Sequence, residues 1–553
     1  MARNLRSNFP IGSTQWAVRR AQWRALGITD ADMRKPKIAV INSSSELSSC
    51  YSHLDGVAEA VKDGVRRAGG LPFEIPTVAP SDFVTSAGRS GRYLMPARDL
   101  LVNDIEVMVE GAQLDGMVCL SSCDKTTPAH LMAAARLDLP TILVPCGYQA
   151  HGDLDGEPVD IEDVFEDVGA VAAGRMPLER LCRMTDVAVC GAGVCAGMGT
   201  ANTMQLAAEA LGMALPGSSP VAAGGQKLLR SAGAAGERIV ELVEEDLRPR
   251  EILSRAAFAN AVAASLALSG SVNLVRHLQA VAVELGSDTD LYNLVEEIGA
   301  NTPVLCAVRP NGDTRIEDIE RAGGTLGVLR QLGPVVDRTH VGVSGQPLSS
   351  HLDEVSVDEG VIRSVKGPLA AGPALVVMRG TLAPGAGLFK AGTRTDELRF
   401  DGPARVFESQ EQALDALAAG RIRDGDITVL RGLGPVGGPG VASASWFVAA
   451  LNGAGLGATV AVLTDGQLSG LNHGIVVGQI SPEAADGGPL SLVRDGDRIK
   501  IDTTVRRVDL LVADEEMARR EPVQLTAGEE TGWLGMYRNL VEPLSRGAVL
   551  RRH

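Results

Sequence analysis

Cys123-Asp124-Lys125-Thr126-Thr127-Pro128 follows the apolar run Met117-Val118-Cys119-Leu120 after two serines. The apolar run is typical of a buried strand, and the residues after Pro128 have a helical pattern. The turn between them holds a thiol, a carboxylate and an amine, which are a soft metal ligand, a hard metal ligand and a nucleophile. Crowding these groups costs free energy unless inorganic partners compensate it. We interpret the stretch as part of an iron–sulfur centre beside a divalent-cation site.

The N-terminal two-thirds of the chain alternates short β-rich runs with longer helical patterns. Strands are predicted at Lys37–Asn42, Asp115–Leu120, Thr141–Val144 and Val187–Cys190. Helices are predicted at Leu54–Ala68, Ala129–Leu137 and Asn202–Leu211. Because parallel strands need long crossover connections, this alternation favours an α/β fold with a mostly parallel sheet.

From about Gly372 onwards the pattern changes to short β segments separated by Gly, Pro and Asp turns. These segments are Ala374–Met378, Leu398–Phe400, Ile427–Leu430, Thr459–Leu463, Ile475–Ile480 and Arg498–Val512. The pattern is typical of a β-rich barrel or sandwich with a few helices. We place the boundary in the stretch Lys366–Pro373, which divides the chain into an α/β domain, residues 1–370, and a β-rich C-terminal domain, residues 371–553.

Length, charge and cysteine use narrow the class of protein. The 553 residues exceed what one ordinary core accommodates, so two or three domains are expected. The formal net charge of −16 opposes nucleic acid and anionic membrane surfaces as partners. Eight irregularly spaced cysteines do not resemble a secreted disulfide scaffold. The first residues lack an apolar signal core, so we expect a cytoplasmic protein.

Two segments of about twenty residues carry no charge, Ala256–Val275 and Ser445–Thr464. Their length alone would permit a membrane span. However, the first contains several Ser, Asn and Gly residues, and the second is interrupted by Asn452-Gly453-Ala454-Gly455. We therefore predict a buried helix for the first segment and a helix–turn–strand unit for the second.

Three cysteines lie near predicted strand ends. Cys50 and Cys123 each lie beyond a strand, and Cys195 lies between a strand and its helix. Ligands of open α/β sheets bind beyond the carboxyl ends of the strands, so the three thiols can converge there. Three ligands instead of the usual four would leave one iron of a cluster open to a substrate oxygen. The alternative stays open that free cysteines are only small buried side chains. Those expected to be of this kind are Cys119, Cys146, Cys182 and Cys306.

Several motifs together resemble the dihydroxy-acid dehydratase / phosphogluconate dehydratase family over nearly the whole chain. The motifs are Cys50-Tyr51-Ser52-His53-Leu54, Ser81-Asp82, Cys123–Pro128, Cys195-Ala196-Gly197-Met198-Gly199-Thr200-Ala201-Asn202-Thr203-Met204, Thr464–Gly470 and Ser481-Pro482-Glu483-Ala484. The resemblance implies a hydro-lyase that removes water from a 2,3-dihydroxy carboxylate to give a 2-oxo-3-deoxy acid. It also implies an α/β part followed by a barrel-like, swivelling second domain.

The resemblance also implies the cofactors and the residues that hold them. By analogy Cys50, Cys123 and Cys195 hold an iron–sulfur cluster, and the similarity to sugar-acid relatives favours 2Fe–2S over 4Fe–4S. Mg²⁺ would be held by Asp82, Asp124 and Lys125, with the lysine carboxylated. A lysine amine must lose its proton before it takes up CO₂, and a buried site beside cations favours the neutral amine.

The resemblance assigns Ser469 as the base that abstracts the proton from C2 of the substrate. A serine hydroxyl is far too weak a base unless adjacent positive charge stabilises its alkoxide. The active site would then lie between the two domains, with Ser469 carried over the cluster by the second domain.

Three departures from the usual family pattern stand in the C-terminal part. Ser443 replaces the glutamate that normally completes the metal site, and Leu433 stands where an acidic residue is common. In the serine loop Gln467-Leu468 replaces the usual Arg-Phe. A serine hydroxyl or water can fill an octahedral position of Mg²⁺, but we expect a lower affinity for the metal and an altered substrate pocket.

The same resemblance gives expectations about the substrate, and other functions compete with it. Three stretches are similar to sugar-acid (aldonate) dehydratases: Cys123–Pro128, Gly487-Gly488-Pro489-Leu490 and Thr531-Gly532-Trp533-Leu534-Gly535-Met536-Tyr537. The alternative is a dihydroxy-acid dehydratase of branched-chain amino-acid synthesis. Two rivals from other classes are a non-catalytic iron–sulfur sensor and a structural paralogue without a cluster. We expect a homodimer or homotetramer whose partner is a small hydroxy-acid substrate.

Overall fold

The computed structural model describes residues 5–88, 91–394, 398–438, 440–469, 474–525 and 530–551. Its N-terminal part is α/β. The four strands of its main sheet are β1 (Lys37–Asn42), β2 (Leu71–Pro76), β3 (Gly116–Ser121) and β4 (Thr141–Pro145), and a small hairpin follows as β5 (Gly152–Leu154) and β6 (Glu157–Val159). Its helices are α1 (Thr14–Ala25), α2 (Leu54–Arg67), α3 (Leu94–Gly111), α4 (Thr126–Leu137), α5 (Ile161–Ala172), α6 (Leu178–Val187), α7 (Thr200–Ala210), α8 (Gln226–Glu245), α9 (Pro249–Ile252), α10 (Arg255–Ala267), α11 (Asn273–Leu285), α12 (Leu291–Gly299), α13 (Ile316–Arg321), α14 (Gly324–Leu332) and α15 (Leu348–Glu354).

The main sheet is parallel and has the strand order β2-β1-β3-β4. The chain runs from β1 outwards to β2, then returns across β1 to β3 and continues to β4. Because crossovers are right-handed, the reversal sends the helix after β1 and the helix after β3 to opposite faces of the sheet. A crevice therefore opens between the carboxyl ends of β1 and β3, where open α/β sheets bind their ligands.

The C-terminal part is β-rich, as the sequence predicts. Its strands are β7 (Leu375–Met378), β8 (Ala386–Lys390), β9 (Arg399–Phe407), β10 (Ile427–Leu430), β11 (Ala461–Thr464), β12 (Ile475–Ser481), β13 (Arg498–Asp502) and β14 (Arg507–Leu510). Its helices are α16 (Gln410–Ala418), α17 (Ser445–Gly453), α18 (Asp514–Met517) and α19 (Gly532–Leu540).

These eight strands form one sheet in the order β14-β13-β9-β10-β11-β12-β8-β7. The central pairs from β9 to β12 are parallel, and the outer pairs are antiparallel. Backbone hydrogen bonds of Arg379 with Arg506 and Val508 connect the two end strands. The sheet is thus nearly closed into a barrel, which removes most of its exposed edge. The predicted fold class is confirmed.

The predicted strand Val187–Cys190 is wrong. Val187 is the last residue of α6, and Cys190 makes only an isolated bridge to Ala150. Val187 and Ala188 pack with Leu154 and Val159 of the β5–β6 hairpin in a small separate cluster, whereas Val189 and Cys190 are exposed. A short run of Val and Ala therefore satisfies its burial as the end of a helix, and periodicity alone does not distinguish the two outcomes.

The second uncharged segment folds as predicted, and the first is buried and helical as predicted but is divided into two helices. The first forms α10 and the beginning of α11, and the second forms α17, a turn and β11. Residues of α10 and α11 are buried on nearly all faces, which explains the absence of charge along the first segment. Within the ranges that the structure describes, no helix combines the length and apolar character needed to cross a membrane.

Helices α2 and α8 cross in close contact, and glycines make the contact possible. A Cβ atom on Gly64 would lie 2.1 Å from the carbonyl oxygen of Gly233, and one on Gly236 would lie 2.2 Å from that of Val61. By contrast, Gly56 on the same helix α2 has open space around it. The close spacing of α2 and α8 therefore depends on glycine at these positions.

We predict that Gly64→Ala lowers the free energy of unfolding by about 1–3 kcal/mol, because the methyl group forces two backbones apart. Gly56→Ala is the matched control, and it should be neutral or stabilising by up to about 1 kcal/mol through helix propensity. Urea unfolding of both variants measures the difference. Equal stabilities would mean that the helices separate without cost.

Candidate active site

Cys50 and Cys123 lie side by side in the crevice between β1 and β3. The loop after β1 carries Cys50, and the short turn between β3 and α4 carries Cys123. Their thiols are hydrogen-bonded to each other. The Ser122 hydroxyl donates to the carbonyl oxygen of Cys50 and fastens the two loops together. Both side chains are buried.

Cys195 reaches the same crevice from the loop before α7. The amide of Asn202 donates to the carbonyl oxygens of Cys195 (2.8 Å) and Gly197 (2.7 Å), which fixes this loop. One turn further along α7, the Gln205 amide donates to the carbonyl oxygen of Ser122 at 3.0 Å. Helix α7 therefore connects the loop of the third cysteine to the loop of the second.

The three thiols differ in pKa. The hydrogen bond from Cys123 lowers the pKa of Cys50 to about 7, whereas the same bond raises the pKa of Cys123. Burial raises the pKa of Cys195, and the negative charges around it act in the same direction. Three buried thiols that share one crevice can become thiolates together only if a cation compensates them. The donor set therefore fits an iron–sulfur cluster held by three cysteines.

The predicted metal ligands lie next to these cysteines. The Lys125 amine is fully buried and lies 2.6 Å from a carboxylate oxygen of Asp82. The other oxygen of Asp82 is buried without a hydrogen-bond partner among the described residues. Burial and the charge of Asp82 together raise the pKa of Asp124 to about 8, although Lys125 opposes the shift. An unpaired buried oxygen beside a second carboxylate is a donor set that fits a hard divalent cation.

The unmodified side chains are not yet a finished metal site. Within the described ranges, no group of three or more His, Cys, Asp or Glu side chains is arranged to hold one metal ion. The third predicted ligand, Lys125, contributes an amine here and would contribute oxygen atoms only as a carbamate. The chain therefore supplies two carboxylates, and the rest of the coordination shell depends on that modification, on water or on substrate.

A pocket joins the cysteines of the α/β part to the C-terminal part. Cys123 and Cys195 line its floor together with Asp82 and Asp124, and Ser469 lines it from the C-terminal part. Ser443 and Gln467, two of the departures from the family pattern, also line the pocket. The structure thus brings all the predicted site residues to one cavity or, for Cys50 and Lys125, directly behind its wall.

The loop of Ser469 is held from two sides. The Ser445 hydroxyl accepts a hydrogen bond from the backbone N–H of Ser469 at 2.6 Å. Gln467 pairs through its backbone with Ala442 and Ala444, at 2.9 Å in each case, on either side of Ser443. The loops of Ser443 and Ser469 therefore form one short ladder, and a displacement of one loop moves the other.

Two buried carboxylates hold the remaining glycine-rich segment. Asp465 accepts hydrogen bonds from the backbone N–H groups of Gly432, Leu433 and Ala484. Glu483 accepts from those of Val436 and Gly437. The acidic residues of the Thr464–Gly470 and Ser481–Ala484 motifs are therefore scaffolding for backbone turns. Pro439 and Gly470, which belong to the predicted motifs, lie outside the described residues.

The other cysteines do not reach the pocket. Cys119 and Cys146 are buried, and burial raises the pKa of both thiols. Cys306 is also buried. The prediction that Cys182 is buried is wrong, because it lies exposed on α6. This short helix packs on the surface with only Met184 buried, so its other positions face solvent.

Sequence reasoning missed the polar residues of α11 that support the serine loop. The Asn273 amide donates to the carbonyl oxygen of Leu468 (2.8 Å) and to the hydroxyl of Thr200 (3.0 Å). One turn later, the Arg276 guanidinium donates to the side-chain oxygen of Gln467 at 3.0 Å. The sequence gives little signal of this role, because α11 also carries the polar residues His277, Gln279 and Glu284.

Two family models match the chain. The N-terminal model of the dihydroxy-acid/6-phosphogluconate dehydratases matches residues 35–351, and the C-terminal model matches residues 360–548. The chain belongs to this family. The predicted resemblance is confirmed, and the family is one of hydro-lyases.

Several relatives are similar over nearly their whole length. The dihydroxy-acid dehydratase of Methanococcoides burtonii is 40% identical over 543 residues, covering 96% of this chain and 98% of the relative. That of Carboxydothermus hydrogenoformans is 42% identical over 539 residues, covering 96% and 97%. That of Pyrococcus furiosus is 41% identical over 554 residues, covering 99% and 100%.

We predict that Ser445→Ala lowers the free energy of unfolding by about 1 kcal/mol, because the short hydrogen bond to the Ser469 N–H is lost. Urea unfolding measures the effect. Ser350→Ala is the control, since Ser350 is exposed on α15, and it should change stability by less than about 0.5 kcal/mol. Equal effects of the two substitutions would mean that the ladder does not hold the Ser469 loop.

Proposed function

We propose that the protein dehydrates a 2,3-dihydroxy carboxylate to a 2-oxo-3-deoxy acid. The observation that carries this proposal is the composition of one pocket. Cys123, Cys195, Asp82 and Asp124 line it from the α/β part, and Ser469 lines it from the β-rich part. Such a set offers soft ligands, hard ligands and a proton-accepting oxygen to one small substrate.

We propose Cys50, Cys123 and Cys195 as the ligands of an iron–sulfur cluster and Asp82, Asp124 and carboxylated Lys125 as ligands of Mg²⁺. When bound, the cluster supplies a Lewis acid for the departing hydroxyl, and Mg²⁺ supplies positive charge near the substrate carboxylate. The contact between Lys125 and Asp82 supports this assignment, because carboxylation of the amine would turn an ion pair into two adjacent anionic groups that need a cation. The cluster type, 2Fe–2S, remains a proposal from the resemblance.

We propose Ser469 as the base. Its oxygen takes the proton from C2, the C2–H electron pair forms the C2–C3 double bond, and the C3 hydroxyl leaves with the electron pair of its C–O bond. The proton and hydroxide together make one water, and the resulting enol tautomerises to the 2-oxo acid. Serine acts as a base only where positive charge stabilises its alkoxide, and the bound cluster and Mg²⁺ would supply that charge here.

The apolar lining of the pocket favours a short, branched substrate. Phe83 and Phe165 form an edge-to-face pair with ring centroids 6.0 Å apart, and both line the pocket. Leu94 and Trp446 extend this apolar surface. Methyl groups of a branched 2,3-dihydroxy acid gain burial there, whereas each extra hydroxyl of a sugar acid needs a polar partner. The names of the relatives also favour the dihydroxy-acid alternative over the sugar-acid prediction.

A sugar acid is the second candidate. Polar side chains line the same pocket, among them Ser86, Asn202 and Gln410. Gln410 uses its side-chain oxygen to accept from the backbone N–H groups of Trp446 and Phe447, which directs its amide N–H₂ elsewhere. These groups offer partners for additional hydroxyls, in keeping with the motifs similar to aldonate dehydratases.

The choice of substrate is tested with protein purified without oxygen and supplied with Mg²⁺. We predict that kcat/KM for 2,3-dihydroxyisovalerate exceeds that for arabinonate, xylonate and gluconate by at least about tenfold, since two methyl groups are worth about 1.5 kcal/mol in such a pocket. Formation of 2-oxo acid is measured as its hydrazone. Ser469→Ala is the control and should keep the visible spectrum of the protein while losing turnover.

Other outcomes of this experiment have definite meanings. A preference for aldonates supports the second candidate. A coloured protein without turnover on either class contradicts the proposed function and supports the sensor. A colourless, iron-free protein contradicts the cluster assignment.

We predict that Ser443→Glu lowers the half-saturating Mg²⁺ concentration about tenfold, because a carboxylate adds a charged ligand to the pocket wall. Ser443→Gln is the control, since glutamine has nearly the same size as glutamate without its charge. This variant should leave the Mg²⁺ requirement unchanged. Activity titrations with Mg²⁺ compare the three proteins. An equal requirement for Glu and Ser would show that another group already fills this position.

A further inference from the structure

Arg276 is a fully buried guanidinium on α11 whose hydrogen bonds are incomplete. Its Nη2 donates to the side-chain oxygens of Gln467 (3.0 Å) and Asn273 (3.2 Å). Its Nε and Nη1 are buried without a hydrogen-bond partner among the described residues. Burial lowers the pKa of Arg276 to about 10, so the side chain is still positive at neutral pH. A charge of this kind costs several kcal/mol of desolvation, which two bonds from one nitrogen do not offset.

The partner of Arg276 is the residue that links the two serines. Gln467 lines the pocket, pairs through its backbone on both sides of Ser443, and lies two positions before Ser469. Its side-chain oxygen accepts from Arg276, so the arginine fixes the rotamer of a pocket-lining residue. Asn273 fixes the next residue, because its amide donates to the carbonyl oxygen of Leu468. Hydrogen bonds from helix α11 thus hold both residues that precede Ser469.

The charged groups around Arg276 do not form an ordinary ion pair with it. Asp82 and Arg98 act on it electrostatically, and Arg98 opposes its positive charge. Asp99 is a buried carboxylate that also interacts electrostatically with Arg276, but it pairs with Arg98 at 3.1 Å. Asp82 contacts the Lys125 amine. Within the described ranges, Arg276 therefore has no salt bridge of its own, and its charge acts on the pocket through Gln467 and through a poorly screening interior.

We propose that Arg276 is a positioning residue for Ser469, and that it delivers from α11 the guanidinium that the usual Arg-Phe pair carries in the serine loop. The inference rests on the proposed function, in which Ser469 is the base. Gln467 and Arg276 are then one unit: the neutral glutamine leaves room for a cation from the neighbouring helix and presents an oxygen to it. Two arginines at these positions would repel each other in a buried site.

The proposal is tested by moving the guanidinium from position 276 on α11 to position 467 in the serine loop. The variants are Arg276→Leu, Gln467→Arg and the double variant, each compared with the wild type in kcat, KM and thermal unfolding. Arg276→Leu should lower kcat at least about tenfold with a smaller change in KM, since the base rather than substrate binding is displaced. Gln467→Arg alone should lower both kcat and the unfolding temperature. The double variant should recover kcat to within about threefold of the wild type.

Arg136→Leu is the matched control. Arg136 is a largely buried arginine that pairs with Glu106 and Glu284 and does not contact the serine loop. Its loss should lower the unfolding temperature, while kcat of the folded protein stays unchanged. A purely structural role for Arg276 would give this same behaviour and would overturn the proposal.

Two further outcomes separate this inference from the proposed function. If the wild type is active and the double variant is no better than the worse single variant, positions 276 and 467 are not a unit and the inference is overturned. If the wild type has no dehydratase activity, the proposed function fails and the role in positioning a catalytic base fails with it. The unfolding temperatures of the four proteins then still show whether the side chains at positions 276 and 467 interact. If they do, the double variant should unfold at a higher temperature than Gln467→Arg alone.

Discussion

Burial of thiols, carboxylates and an amine at one point is the constraint on which the rest of the structure depends. Cys50, Cys123 and Lys125 are almost completely removed from solvent, and Asp82 and Asp124 are partly buried. Water cannot stabilise these groups, so they must be held by their neighbours and by whatever binds them. The parallel sheet makes this possible, because the reversal between β1 and β3 opens a crevice without breaking any strand.

The crevice alone would be open to solvent, and the β-rich part closes it. Its contribution is a set of backbone turns, each fixed by a buried side chain that accepts N–H groups, as Asp465 and Glu483 do. These turns carry short, flexible side chains such as Ser443, Ser445 and Ser469 to the pocket. Precision therefore comes from the supporting hydrogen bonds rather than from the reactive side chains themselves.

The fold was predictable where local pattern and tertiary environment agree. The apolar runs of β1 and β3 and the helix after Cys123 are buried as expected, since a central parallel strand needs apolar residues on both faces. β2 was not predicted, because this edge strand holds two prolines and is only partly buried. Val187–Cys190 failed for another reason: only Val187 and Ala188 pack inward, and they pack against a hairpin and not in the sheet.

The site was predictable to the extent that its residues occur in motifs. Cys123, Asp124 and Lys125 are consecutive, so their proximity needs no fold at all. The contact of Arg276 with Gln467 joins residues 191 positions apart and that of Asn273 with Leu468 joins residues 195 positions apart. Neither side of these pairs is unusual when seen alone. Only the packing of α11 against the serine loop brings these residues together.

Two of the departures from the family pattern change the same charge balance. Replacing a glutamate by Ser443 removes one negative charge from the pocket wall. Replacing an arginine by Gln467 would remove a positive charge, but the buried Arg276 keeps one within hydrogen-bonding distance of that residue. The pocket is therefore more positive than one with the usual glutamate. A positive interior attracts the carboxylate of an anionic substrate and disfavours an additional cation.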